Sequence, residues 1–186
     1  MTAVDPPWYP IRTPRLLIRD FRLEDVEDAH LYGSDPEVAR YMPWGPNSPE
    51  ETAAFMARSL NEQATWPRLD HGFAIQHLAS ERVIGAIALH LRDLEGRAVE
   101  MGYCLNRSFW RQGLVTEAAR AMLAVAFETL GLRRVFATCD VRNVGAYAVM
   151  EKLGMRREGA FRQDRIVKGT PRDTYLYAIL ADEWTG

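Results

Sequence analysis

The sequence predicts a mixed α/β or α+β fold, a central sheet flanked by helices. Phe73–Leu78, Val83–Leu91 and Arg97–Leu105 have strand composition, and the turns between them, Ser80-Glu81-Arg82 and Asp93-Leu94-Glu95-Gly96, are short. Short connections between successive strands imply an antiparallel meander. A second observation is the run from about Leu114 to Leu130, apolar almost all round and closed by Gly131 at a plausible C′ position. Such a helix belongs against a sheet. The third is the order of the segments: strand, helices, three strands, helix, strand, helix, strand.

Taken in turn, Arg15–Asp20 reads as the first strand. Leu23–Tyr41 carries helix-spaced apolar residues and is interrupted near Ser34-Asp35-Pro36. Ser48 suits an N-cap, because Pro49 then takes the first helical position and Glu51 the third, completing a capping box. After the meander and the long apolar helix, Val135–Cys139 reads as a strand and Val144–Leu153 as a helix stopped by Gly154. Thr174–Leu180 closes the sheet.

With 186 residues the chain is expected to form one domain, residues 1–186 with a core from about 12 to 180, large enough to bury a real interior. A net charge of −2 gives no electrostatic reason to expect nucleic acid or an anionic membrane as partner. The charge is uneven: Asp20, Glu24, Asp25, Glu27, Asp28, Asp35 and Glu37 make an acidic early stretch. Arg156, Arg157, Arg162, Arg165 and Lys168 make a basic late one. Solvated surface is the plain reading of both. Two cysteines, Cys104 and Cys139, lack the spacing of a disulfide framework and fit a reducing compartment. The N-terminal MTAVDPPWYP lacks the basic and apolar regions of a signal peptide, and no apolar run approaches membrane-spanning length. A cytoplasmic protein is expected.

Chemistry concentrates between Val99 and Phe127. Period-two alternation puts Ala98, Glu100, Gly102 and Cys104 on one strand face and Val99, Met101, Tyr103 and Leu105 on the other. Glu100 thus shares its face with small residues, where a ligand can come close, and is a candidate general base. A solvated edge-strand glutamate is the alternative. The following turn, Phe109-Trp110-Arg111-Gln112-Gly113-Leu114-Val115-Thr116, opens directly into the apolar helix. Helix N-termini present unpaired N–H groups and partial positive charge, which makes the turn a phosphate cradle. It is neither a Walker loop nor a dinucleotide fingerprint. His71, His77 and His90 have no ligand partners at metal spacing, and His90 stands alone on its strand, so no metal is expected. Cys104 reads as a buried structural thiol rather than a nucleophile. His30, Trp44 and Trp66 either line an acceptor pocket or pack.

These segments together resemble the GCN5-related N-acetyltransferase family, in particular its branch similar to the ribosomal-protein N-terminal acetyltransferases. The resemblance runs through TPRLLIRDFRLEDVEDAHLYGSDPEVARYM, VIGAIALH, AVEMGYCLNRSFWRQGLVTEA, NVGAYAVMEKLGMRREG and DTYLYAILADEW, in that order. It implies a twisted, mostly antiparallel mixed sheet with a splayed central strand pair. It also implies acetyl-CoA as co-substrate, an amine acceptor, direct transfer without an acyl-enzyme, and a homodimer by analogy with the branch. On the family pattern, Gly102, Tyr103, Cys104 and Leu105 present a strand edge to the pantetheine arm. Arg111, Gln112, Gly113, Leu114, Val115 and Thr116 hold the pyrophosphate. Arg111 stands where the branch usually has glycine, and Val115 where the family has a small residue. Asn143 falls beside the pantetheine or the acceptor. The two places where relatives carry a serine or tyrosine acid hold Ala146 and Met150, so neighbouring Tyr147 is a cofactor contact and a weak acid candidate, with packing as its alternative role. Two other readings stay open: a non-catalytic acetyl-CoA-binding sensor and a protein-interaction module.

Overall fold

The computed structural model describes residues 10–65, 68, 70–93 and 97–186. The readings made for the N-terminal residues 1–9, for Trp66 and for the turn residues Leu94-Glu95-Gly96 lie outside them. The strands are β1 (Ile11–Arg12), β2 (Leu16–Arg19), β3 (Asp70–His77), β4 (Val83–Asp93), β5 (Ala98–Leu105), β6 (Arg134–Asp140), β7 (Arg156–Val167) and β8 (Thr170–Leu180). The α-helices are α1 (Val26–Gly33), α2 (Pro36–Ala39), α3 (Pro49–Ala64), α4 (Leu114–Ala124) and α5 (Val144–Lys152). The strands form one sheet in the order β1-β2-β3-β4-β5-β6-β8-β7, antiparallel throughout except for the parallel pair β5–β6. A parallel pair needs a long crossover, and α4 supplies it.

Two apolar layers cover the sheet. On one side α4 and α5 pack Leu114, Met122, Leu123 and Met150 onto Ile87, Leu89, Val99, Met101 and Val135, all buried. On the other, a smaller cluster joins Phe21, Ala29, Tyr32, Val38 and Met56 to Ala74 and Val83. The predicted capping box forms: Ser48 Oγ accepts from Glu51 N–H at 3.2 Å, and Glu51 Oε2 accepts from Ser48 N–H at 2.8 Å. The long apolar helix is α-helical to Ala124 and then widens to a π-helical turn, Val125–Thr129, before Gly131 at φ +60°.

Two strands escaped the sequence reading. β1 has two residues, too few for a pattern. β7 spans the basic late stretch; it is an edge strand whose residues are almost all exposed, so no apolar alternation marks it. The acidic early stretch is also less solvated than its composition suggests. Asp25 and Arg19 form a buried bidentate ion pair at 2.7 and 2.8 Å, and Asp20 pairs with Arg68 at 2.7 Å.

Candidate active site

Alternation along β5 places its side chains as expected. Val99, Met101 and Leu105 are buried in the α4–α5 layer and Tyr103 packs against it, while Cys104 packs under the opposite layer. β5 is hydrogen-bonded to β4 over its whole length, as far as Gly85↔Leu105. Its pairing with β6 stops at Glu100↔Phe136. From Met101 to Leu105 the β6-facing edge of β5 is therefore open, although β5 lies in the middle of the sheet. The splay is held apart in part by Tyr103, whose hydroxyl donates to the Ala146 carbonyl of α5 at 2.9 Å. Burial pushes the Tyr103 phenol well above its ordinary value, so it serves as a neutral donor.

The turn after β5 is built tightly. Trp110 Nε1 donates to the Leu105 carbonyl at 2.8 Å, and Gln112 Nε2 to the Ser108 carbonyl at 3.1 Å. Arg111 and Gly113 both have positive φ, +60° and +76°, the region that favours glycine. The first α-helical bond of α4 runs from Glu117 N–H to the Gly113 carbonyl, so the N–H groups from Arg111 to Thr116 precede it. The strand-entry segment clamps this turn from behind, a feature the sequence reading missed. Glu117 accepts from Thr13 Oγ1 at 2.6 Å, Arg15 N–H at 2.9 Å and Arg15 Nε at 2.7 Å, while Arg15 Nη1 donates to the Gln112 carbonyl at 2.9 Å. Burial pushes the Glu117 carboxyl up, but these hydrogen bonds and the Arg15 charge outweigh it and hold the group below its usual value.

Asn143 caps α5, its Oδ1 accepting from Ala146 N–H at 3.2 Å. Tyr147 lies edge-to-face on Tyr175 with ring centroids 5.9 Å apart, which is the packing role. Val115 is partly buried against the core rather than turned outward.

On the other sheet face a cleft of about 660 Å³ lies between α1, α3 and strands β3–β5. Its floor consists of cross-strand rows. Gly72–Ala88–Gly102 and Ala86–Cys104 are rows of small residues; Asp70–His90 is the next row, and the register continues it to Glu100 on β5. A Cβ at Gly72 or Gly102 meets nothing within 4 Å, so the absent side chains create the cleft's depth. Phe21, Met42, Trp44 and Phe55 supply apolar walls, and the cleft reaches Gly102, Tyr103 and Cys104, where β5 begins to splay. At the rim Lys168, from the turn between β7 and β8, donates to the Ala39 carbonyl of α2 at 2.7 Å, tying the hairpin across.

Glu100 is not a solvated edge residue. Its side chain is 19% exposed, Thr138 Oγ1 donates to Oε1 at 3.2 Å, and Arg165 Nη2 lies 4.0 Å from the same oxygen. Nor is His90 alone: its Nδ1 sits 2.5 Å from Asp70 Oδ1. Register between strands, invisible in a linear sequence, makes that pair. Among the described residues no group of three or more His, Cys, Asp or Glu is placed to hold a metal ion. No described helix is long and apolar enough to cross a membrane.

Residues 15–156 match the family model of the acetyltransferase (GNAT) domain. The chain belongs to the GNAT acetyltransferases. It is 35% identical to an uncharacterized N-acetyltransferase, YnaD, of Bacillus subtilis, over 94% of this chain and 98% of the relative. A putative ribosomal N-acetyltransferase of the same organism, YdaF, is 37% identical over 55% of this chain and 56% of its own length. Among solved structures, a GNAT-family acetyltransferase from Bacillus anthracis superposes with a TM-score of 0.81 at 33% identity, covering 92% of this chain and 98% of that one. A GNAT fold and N-acetyltransferase activity follow for this chain.

Proposed function

We propose that this GNAT enzyme moves an acetyl group from acetyl-CoA to a primary amine, of a protein N-terminus or a small molecule, by direct attack in a ternary complex. The observation that carries the reading is the end of β5–β6 pairing at Glu100↔Phe136. It frees backbone donors and acceptors on the strand that bears the base and runs straight into the cradle. An extended pantetheine arm then adds to Gly102–Leu105 as an extra strand, with a β5 N–H polarising the thioester carbonyl. The N–H groups of Arg111, Gln112, Gly113, Leu114, Val115 and Thr116 receive the pyrophosphate at the positive end of α4. Asn143 and Tyr147 stand at the start of α5, on the far side of the splay from β5.

The acceptor enters the cleft of the opposite face and meets the thioester beside Gly102. Glu100, through a water, removes the ammonium proton, a task easier for an α-amine near ~7.8 than for a lysine near ~10.4. The free thiol of coenzyme A has a pKa near ~8.5, so the thiolate leaves without an enzymic acid and takes its proton from water. Holding both substrates in place supplies most of the rate. The decisive experiment is a thermal shift with millimolar coenzyme A followed by thiol release from acetyl-CoA across a panel of peptides and small amines. Stabilisation with amine-dependent thiol release supports the reading, stabilisation without turnover turns the protein into an acetyl-CoA sensor, and no stabilisation rejects acetyl-CoA altogether.

A further inference from the structure

Acetyl transfer as proposed gives no part to Asp70 and His90, which line the cleft. Asp70, His90 and Glu100 face one another across β3, β4 and β5, so their side chains leave the same sheet face at neighbouring positions. His90 and Asp70 line the cleft, 33% and 47% exposed, with Nδ1 and Oδ1 2.5 Å apart. A carboxylate only accepts, so this contact assigns the imidazole proton to Nδ1 and leaves the lone pair on Nε2. An imidazole held this way, across the strand from a candidate base, presents Nε2 as a proton acceptor.

We propose that His90, oriented by Asp70, is the proton relay of acetyl transfer, carrying to the cleft mouth the proton that Glu100 removes from the acceptor. The inference rests on the acetyl-CoA reading. As the amine nitrogen bonds to the acetyl carbon, the thioester C–S bond breaks with its electron pair on sulfur. One ammonium proton moves through water and Glu100 to His90 Nε2, the imidazolium is held by Asp70, and solvent takes the proton from there. That proton leaves before the nitrogen attacks; the second nitrogen proton, released as the amide forms, passes to water, and water protonates the thiolate. Besides Asp70 from β3, the charged groups lining the cleft are Glu51, Arg58 and Glu62 from α3 and Lys168 from the β7–β8 turn; Glu100 is the cross-strand neighbour of His90 on β5, and Arg165 lies beyond it.

The test compares wild type, His90→Gln and Asp70→Asn with one acceptor, so that the acceptor's own ionisation cancels between profiles. His90→Gln is expected to lower kcat on the order of 10²-fold with the KM for acetyl-CoA unchanged, and to remove an acidic limb of the kcat/KM profile. Asp70→Asn keeps the limb but moves it to lower pH, because the imidazolium loses its counter-charge. A merely structural role moves neither limb. Coenzyme A thermal shifts accompany each variant. A wild type that coenzyme A fails to stabilise overturns the acetyl-CoA reading and the relay with it. A stabilised wild type whose variants keep its rate and pH profile overturns the relay alone. Should His90→Gln fail to fold, an unmoved limb in Asp70→Asn rejects the proposal and a shifted one supports it.

Discussion

Gly102→Val separates the fold from the function at one position. A Cβ at Gly102 meets nothing within 4 Å, and its φ lies outside the left-handed range, so valine adopts the native strand without strain. Glycine inside a strand weakens it, and replacing it with a β-branched residue favours the folded state by about 0.5–1 kcal/mol. For a domain of this size that raises Tm by about 1–4 °C. The same side chain fills the β5 end of the Gly72–Ala88–Gly102 floor, where acceptor and thioester are proposed to meet. Displacing the reacting atoms by about 1 Å costs on the order of 10²-fold in kcat/KM, or about 2.7 kcal/mol of barrier. Gly85→Ala is the companion. There a Cβ would lie 2.3 Å from the Cys104 carbonyl oxygen and 2.9 Å from Leu105 Cα, both backbone atoms, so stability falls by about 1–3 kcal/mol. Thermal melts and thiol release at saturating acetyl-CoA read both effects. A Gly102→Val enzyme with wild-type kcat/KM, or one destabilised by more than about 1 kcal/mol, refutes the reasoning.

Glu100→Gln keeps the side chain's shape and its contact with Thr138 but removes the base; kcat is expected to fall about 10²–10⁴-fold, and an unchanged rate with a good acceptor across pH rejects the assignment. Glu117→Ala releases Thr13, Arg15 and through it the Gln112 carbonyl, and lowers stability by roughly 1–2 kcal/mol in urea titrations, a figure kept small because Arg15 is 46% exposed. Glu117 is held below its unfolded value of 4.5, so the stability it lends is complete above that pH and lost as pH falls through the lower folded value. Wild type and Glu117→Ala should therefore converge in stability at acid pH, and a gap that persists there contradicts the clamp. Burial pushes the Cys104 thiol up to about 12, and burial with the Asp140 charge pushes Cys139 up to about 11. Native protein should resist iodoacetamide near pH ~8 and react promptly in urea, scored by mass spectrometry; fast native labelling of Cys104 would mean that its strand face is not packed as described.

The local chain determined a good deal of this. Ser48, Pro49 and Glu51 specify the start of α3 through bonds spanning three residues, and Val99, Met101 and Leu105 specify the buried face of β5 by alternation. Gly113 before an apolar helix marks the cradle for the same reason: each signal is complete within one turn or one strand. Glu100 and the residues Gly102–Leu105 could be nominated because they share that strand. Strand β7 was hidden because an exposed edge strand carries no apolar period, and the Arg15–Glu117 clamp because its partners lie about a hundred residues apart.

Tertiary structure alone decided what those local pieces form together. The open edge of β5 exists because pairing with β6 stops after three residue pairs, a property of two strands and the Tyr103–Ala146 contact between them. The cleft floor exists because register aligns Gly72, Ala88 and Gly102, and the same register turns Asp70, His90 and Glu100 into a row. Composition and periodicity act along the chain. Register acts across it, and in this protein the candidate catalytic chemistry lies across the strands.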